Sequence, residues 1–131
     1  MSFSTIRTAL ASSMSSINGL RTSATIPDSP RPPLAVGIPE SITYDLNARR
    51  GADRYLFNVT VLVGRADDRA AQNNLDRYVV GPDSVKTAIE KDRTLGGIVD
   101  TCRVMDMRNY SSLPVGDVLY LAAQFTVEVV A

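Results

Sequence analysis

The sequence predicts an α+β fold: a single, mostly antiparallel β-sheet, with an N-terminal helix and two mid-chain helices packed on one face. Two stretches support this prediction. Residues 54–64 and residues 117–131 both alternate apolar with mixed or polar side chains at a period of two, which is typical of half-buried strands. Two such strands imply one sheet, with a dry face under the helices and a polar face carrying Asn58, Thr60, Gln124, Thr126 and Glu128.

The first element is predicted to be an amphipathic helix over residues 3–18. Its apolar residues recur at steps of three and four, at Phe3, Ile6, Leu10, Met14 and Ile17. Ser2 or Ser4 is the expected N-cap, and Gly19 the expected stop. A short strand is predicted over residues 20–26, followed by a proline-rich turn over residues 27–33.

A long hairpin is predicted next. Residues 34–44 form its first strand, which Pro39 is expected to interrupt, and residues 54–64 form its second. The tip, residues 45–53, has about nine residues, whereas a loop that only reverses the chain needs two to five. We expect the tip to protrude and to make interface contacts, since Arg pairs well with carboxylates of a partner. The residues assigned to this interface are Asn47, Arg49, Arg50, Gly51 and Asp53.

Two helices are predicted after Gly64. The first is capped by Asp67 or Asp68 and ends at Gly81-Pro82. Its apolar stripe is Ala71, Leu75, Tyr78 and Val79. The second begins at Asp83 or Ser84; the residues expected to face inward are Val85, Ala88 and Ile89, and those expected to face outward are Glu90 and Lys91.

The last two strands follow a connector at residues 94–97. Residues 98–109 show mixed faces, which indicates either partial cover on both sides or a bulge that switches the faces. Residues 110–116 are predicted to be a turn, because they contain Pro114 and Gly116. In the final strand, the side chains expected to face the core are Leu119, Leu121, Ala123, Phe125, Val127 and Val129.

Length and composition narrow the classes of function. At 131 residues the chain is predicted to be one domain, 1–131, and its 14 basic and 14 acidic residues balance, which argues against a general nucleic-acid binder. There is no histidine and one cysteine, Cys102, so His-based triads, His metal ligands and a C-x-x-C couple are excluded. We expect no enzymatic activity, no catalytic residues, no metal and no cofactor. Without a signal peptide or an apolar run of membrane-spanning length, the chain is expected to be soluble, made in the cytoplasm and without a membrane partner.

The chain resembles the tail terminator proteins of long-tailed, siphovirus-type phages, especially those of actinobacterial hosts. The order of elements contributes to the resemblance, and so do particular stretches across most of the chain. These stretches are residues 19–22, 26–28 with 32–33, 41–45, 51–55, 59–65, 84–86, 92–97 and 120–125.

The resemblance implies a structural virion protein at the head–tail junction. Such terminators form a homohexameric ring at the head-proximal end of the tail tube, stop tube polymerisation, and contact both the major tail tube protein and the neck or stopper protein. Genomic DNA passes through the ring without specific binding. The resemblance also implies that residues 1–131 form a single terminator-like domain with a protruding hairpin near residues 45–53. The alternatives are a head-closure stopper, a tail tube subunit, or a cytoplasmic module that binds a peptide on a sheet edge.

Overall fold

The computed structural model describes residues 3–15, 17, 20–23, 33–44, 53–65, 69–82 and 84–131. Within these residues the chain forms three helices and five strands. In chain order they are α1 (Phe3–Met14), β1 (Arg21–Ser23), β2 (Leu34–Thr43), β3 (Arg54–Arg65), α2 (Arg69–Val79), α3 (Val85–Glu90), β4 (Thr101–Val115) and β5 (Val118–Val130).

The five strands form one sheet in the order β1-β2-β3-β5-β4. Neighbouring strands are antiparallel except β1 and β2, which are parallel. This confirms the predicted α+β fold with a mostly antiparallel sheet, and the short parallel pair qualifies it. β3 and β5, the two stretches from which the sheet was predicted, lie side by side, with Phe57 opposite Val127 and Val59 opposite Phe125.

The main core lies between one face of this sheet and all three helices. The odd-numbered residues of β3 from Tyr55 to Val63 point into it, as their period of two predicts. Each helix adds buried side chains to the same cluster: Ile6, Leu10 and Met14 from α1, Ala71, Leu75 and Tyr78 from α2, and Val85, Ala88 and Ile89 from α3. One predicted core residue is wrong: Leu119 is 53% exposed, because it lies at the far end of the β4–β5 hairpin.

Two β-bulges change which side chains share a face. In β2 the register shifts between Pro39 and Ser41, so the strand continues past the proline with an extra residue, Glu40. In β4 the register shifts between Val104 and Asp106, which makes Met105 the inserted residue. Because of this insertion Met107 packs against the core, on the same side as Val104. The bulge therefore explains the mixed faces of this strand.

Several predicted boundaries need correction. The predicted turn at residues 110–116 is wrong, because β4 continues to Val115 and Pro114 stands opposite Leu119. A proline is tolerated there since β4 is an edge strand. Ser4 lies inside α1 rather than at its cap, whereas Ser84 caps α3 and its Oγ accepts from the backbone N–H of Thr87 at 3.1 Å. α2 ends at Val79, just before the predicted stop at Gly81-Pro82. The remaining predicted boundary residues lie outside the described residues: Ser2, Gly19, Asp67, Asp68 and Asp83.

Candidate interaction surfaces

The predicted interface at the β2–β3 hairpin is described only at its base. Asn47, Arg49, Arg50 and Gly51 lie outside the described residues. Asp53 immediately precedes β3, and its backbone exchanges two hydrogen bonds with Ala131: its N–H donates at 2.7 Å and its carbonyl accepts at 3.0 Å. Asp53 therefore extends the β3–β5 ladder by one pair.

A charged cluster occupies the sheet face opposite the helices. Glu128 of β5 lies between two arginines from the neighbouring strands. Its carboxylate is 2.8 Å from Nε of Arg54 in β3 and 3.2 Å from Nε of Arg103 in β4. The Glu128 and Arg54 side chains are 16% and 32% exposed, so this pair is better shielded from solvent than an ordinary surface ion pair, whereas the Arg103 side chain is 55% exposed. We call Arg54, Arg103 and Glu128 the arginine–glutamate cluster.

The same face continues with further paired polar groups toward the β4–β5 turn. Arg108 lies 3.1 Å from the carboxylate of Asp106, and Asn109 donates to the side chain of Gln124 at 2.6 Å. A hydrogen bond from the Thr126 hydroxyl, together with one from Arg108, holds the pKa of Asp106 below its ordinary value. Acids and arginines on this face thus pair with each other. The predicted polar face is present, and its two carboxylates offset two of the three arginine charges paired with them.

The polar face ends in a small apolar cluster, which sequence alternation alone did not predict. Its buried members are Leu34, Val36, Leu62 and Ala122, with Leu113 and Tyr120 packed against them. These residues come from four strands, and β-strand register brings them together near the β3–β5 bulge between Leu62 and Gly64. One end of this face is therefore apolar, and the other is charged.

On the helical side, a groove of about 760 Å³ separates α1 from the segment that follows α3. Small and hydroxyl-bearing residues of α1 line one wall, including Thr8 and Ser12. The other wall is a turn organised by Asp92, whose carboxylate accepts from the backbone N–H groups of Thr94 at 3.1 Å and Gly96 at 3.0 Å. The hydrogen bonds from Thr94, with that from Gly96, lower the pKa of Asp92.

The structure reveals one acid that the sequence analysis placed wrongly. Glu90 was predicted to face outward, yet its side chain is only 10% exposed. It turns toward β4 and accepts from the backbone N–H of Val104 at 3.1 Å. Lys91, which was also predicted to face outward, is exposed as expected. Glu90 directly follows the buried Ile89 in α3, so helical periodicity alone does not decide the orientation of its side chain. The position of β4 decides it.

None of the three helices in the described part of the chain has both the length and the apolar character needed to cross a bilayer. No cluster of three or more Cys, Asp or Glu side chains with metal-binding geometry occurs within the described ranges. No protein-family model matches the chain, and a comparison with curated proteins finds no significant match.

Proposed function

We propose that this chain is a tail terminator: a structural virion protein that forms a homohexameric ring at the head-proximal end of a phage tail tube, ends tube polymerisation and joins the tail to the neck. The proposal extends to its partners, which would be the major tail tube protein below and the neck or stopper protein above. It also gives the chain no enzymatic role. The proposal depends on one observation: stretches distributed over most of the sequence resemble those of phage tail terminator proteins.

The positions of those stretches in the fold support the proposal. Residues 59–65 and 120–125 lie in β3 and β5, the central pair of the sheet. Ser84 caps α3, and Asp92 organises the turn that follows that helix. Residues 41–43 end β2, and residues 54–55 begin β3, the two strands of the hairpin. The residues on which the resemblance to tail terminators depends are thus ones that determine backbone geometry, as expected for a resemblance in fold between structural proteins.

The charge arrangement on the polar face also fits a ring through which DNA must pass freely. Proteins bind DNA nonspecifically through Lys and Arg contacts with phosphates. On this face Arg54 and Arg103 pair with Glu128, and Arg108 pairs with Asp106. Two carboxylates offset two of the three arginine charges, so these groups together carry one net positive charge, and a lumen lined by this face would hold DNA only weakly. We infer that this face is directed toward the channel.

The function is tested by mixing the purified chain with its cognate tube protein during tube assembly. We expect shorter tubes with a ring at one end in negative-stain images, with mean length falling as the ratio of chain to tube protein rises. Tubes that instead incorporate the chain along their length would identify a tube subunit. Unchanged tube length at every ratio would refute the terminator assignment.

The lumen assignment has its own test, the variant Glu128→Gln. It removes the charge that pairs with Arg54 and Arg103, so we expect salt-sensitive binding to duplex DNA that the wild-type chain lacks. The control is Glu40→Gln, which makes the same change of charge at an exposed residue in the β2 bulge. Equal DNA binding by both variants would show that net charge, rather than the arginine–glutamate cluster, controls DNA binding.

A further inference from the structure

β4 is an edge strand, and it is the longer of the two edges of the sheet. It runs over 15 residues, from Thr101 to Val115, and pairs with β5 on one side. No other strand that the structure describes pairs with its outer side. The outward N–H and C=O groups of such an edge are a template on which another chain can add a strand. Every copy of this protein carries the same edge, so two copies could join antiparallel about a two-fold axis.

One outward group of this edge is already occupied. Val104 stands opposite Val127 of β5, but its N–H donates to the Glu90 carboxylate at 3.1 Å and is therefore directed away from β5. The same carboxylate accepts from Arg93 at 2.7 Å and from Lys86. A carboxylate with three donors from α3, β4 and the intervening segment is held firmly in one position.

Displacing this carboxylate would be unfavourable. An incoming strand that paired at Val104 would remove the backbone hydrogen bond of a largely buried acid, and the cost of leaving a buried charged group short of partners exceeds the gain from one ordinary hydrogen bond. The neighbouring residues add to this effect, since Met105 forms a bulge and Asn109, at φ 56°, lies within a second register shift. Bulges bend an edge away from regular pairing.

We propose that Glu90 protects the β4 edge, preventing two copies of this chain from pairing strand to strand by occupying the outward N–H of Val104. The bulges belong to β4 itself, whereas Glu90 reaches the edge from α3. A single substitution therefore removes this protection without altering the strand. The inference concerns the isolated chain and holds whether or not the chain terminates a phage tail.

The test is Glu90→Ala in the full chain, studied by sedimentation velocity over a wide range of concentration and by hydrogen exchange. We expect the variant to form dimers at concentrations at which the wild-type chain is monomeric. Under dilute, monomeric conditions its Val104 amide should exchange about tenfold faster than in the wild-type chain, because the hydrogen bond to the carboxylate is lost. Glu90→Gln, which preserves side-chain volume and an oxygen acceptor, should give an intermediate association constant.

Two further variants separate edge pairing from general destabilisation. Val61→Ala weakens the core in the central strand, where Val61 is fully buried, and leaves Glu90 in place; it should remain monomeric. In the double variant Glu90→Ala/Met105→Glu, a new charge on the β4 edge should restore the monomer. Met105 is 40% exposed and its Sδ lies 4.0 Å from Nη2 of Arg54, so a glutamate is tolerated there.

Three results would overturn the proposal. The first is association of Glu90→Ala and Glu90→Gln no stronger than that of the wild-type chain. The second is dimerisation of Val61→Ala to the same extent, which would attribute the association to loss of stability. The third is a dimer that persists unchanged in the double variant, which would place the contact away from β4.

Discussion

Truncation of Phe57 to alanine tests the packing of the sheet against the helices. Phe57 lies in the middle of β3, is fully buried, and stands opposite Val127 in β5. Replacing a buried phenylalanine by alanine costs about 3–5 kcal/mol, because apolar contacts are lost and a cavity remains. Domains of this size have a total stability of about 5–15 kcal/mol, so the variant should fold but with a greatly reduced margin. The corresponding fall in melting temperature is about 10–20 °C.

The assay is urea unfolding followed by far-ultraviolet circular dichroism, since the chain contains no tryptophan. The matched control is Leu119→Ala, at a position that the alternation of β5 also assigned to the core. Leu119 is 53% exposed, so its truncation should change the free energy of unfolding by less than about 1 kcal/mol. Equal effects of the two substitutions would refute the description of the core, as would a loss below about 1 kcal/mol for Phe57→Ala.

Three other predictions concern the hairpin tip, Glu90 and Cys102. Replacing residues 47–52 with an Asn-Gly turn should leave the melting temperature nearly unchanged but abolish assembly onto tails; full assembly of the variant would show that the tip is a spacer. Burial raises the pKa of Glu90, but the hydrogen bonds from Lys86 and Val104 and the charges of Lys86 and Arg93 outweigh it, so the folded-state pKa lies below the ordinary 4.5. The stabilisation by ionised Glu90 is therefore complete above pH 4.5 and is lost as the pH falls through the lower folded-state pKa. In urea unfolding at a series of acid pH values, the stability difference between wild type and Glu90→Gln should shrink over that range. A constant difference would contradict this prediction. Burial, with a smaller effect of Glu90, raises the pKa of Cys102 to about 11, so a thiol reagent at pH 8 should label it only after unfolding, whereas rapid labelling of the folded chain would place it at the surface.

Part of the candidate surface was predictable from sequence. Alternation along β3 and β5 assigned Asn58, Thr60, Gln124 and Glu128 to the face opposite the helices, and the register confirms that assignment. The pairing of Glu128 with Arg54 and Arg103 was not predictable. It depends on which strands flank β5 and on their register, and alternation along a single strand contains neither.

Local sequence patterns were enough to predict the features that depend on near neighbours in the chain. Period-two alternation identified the central strands, and helical spacing identified the buried faces of α2 and α3. The cap at Ser84 is local in the same sense, since its Oγ reaches an N–H three residues away. The structure at these positions can therefore be predicted without knowledge of the rest of the fold.

Features that depend on contacts between distant segments could not be predicted from local patterns. β4 runs through Pro114 because it lies at an edge, where a missing N–H breaks no ladder bond. Leu119 is exposed although the alternation of β5 assigned it to the core, because it lies at the end of the β4–β5 hairpin, opposite Pro114. Glu90 turns inward because an outward N–H of β4 lies within reach of α3. In each case the position of a distant strand or helix decides whether a side chain is buried or a backbone group is hydrogen-bonded. The local sequence contains no information about where that distant element lies.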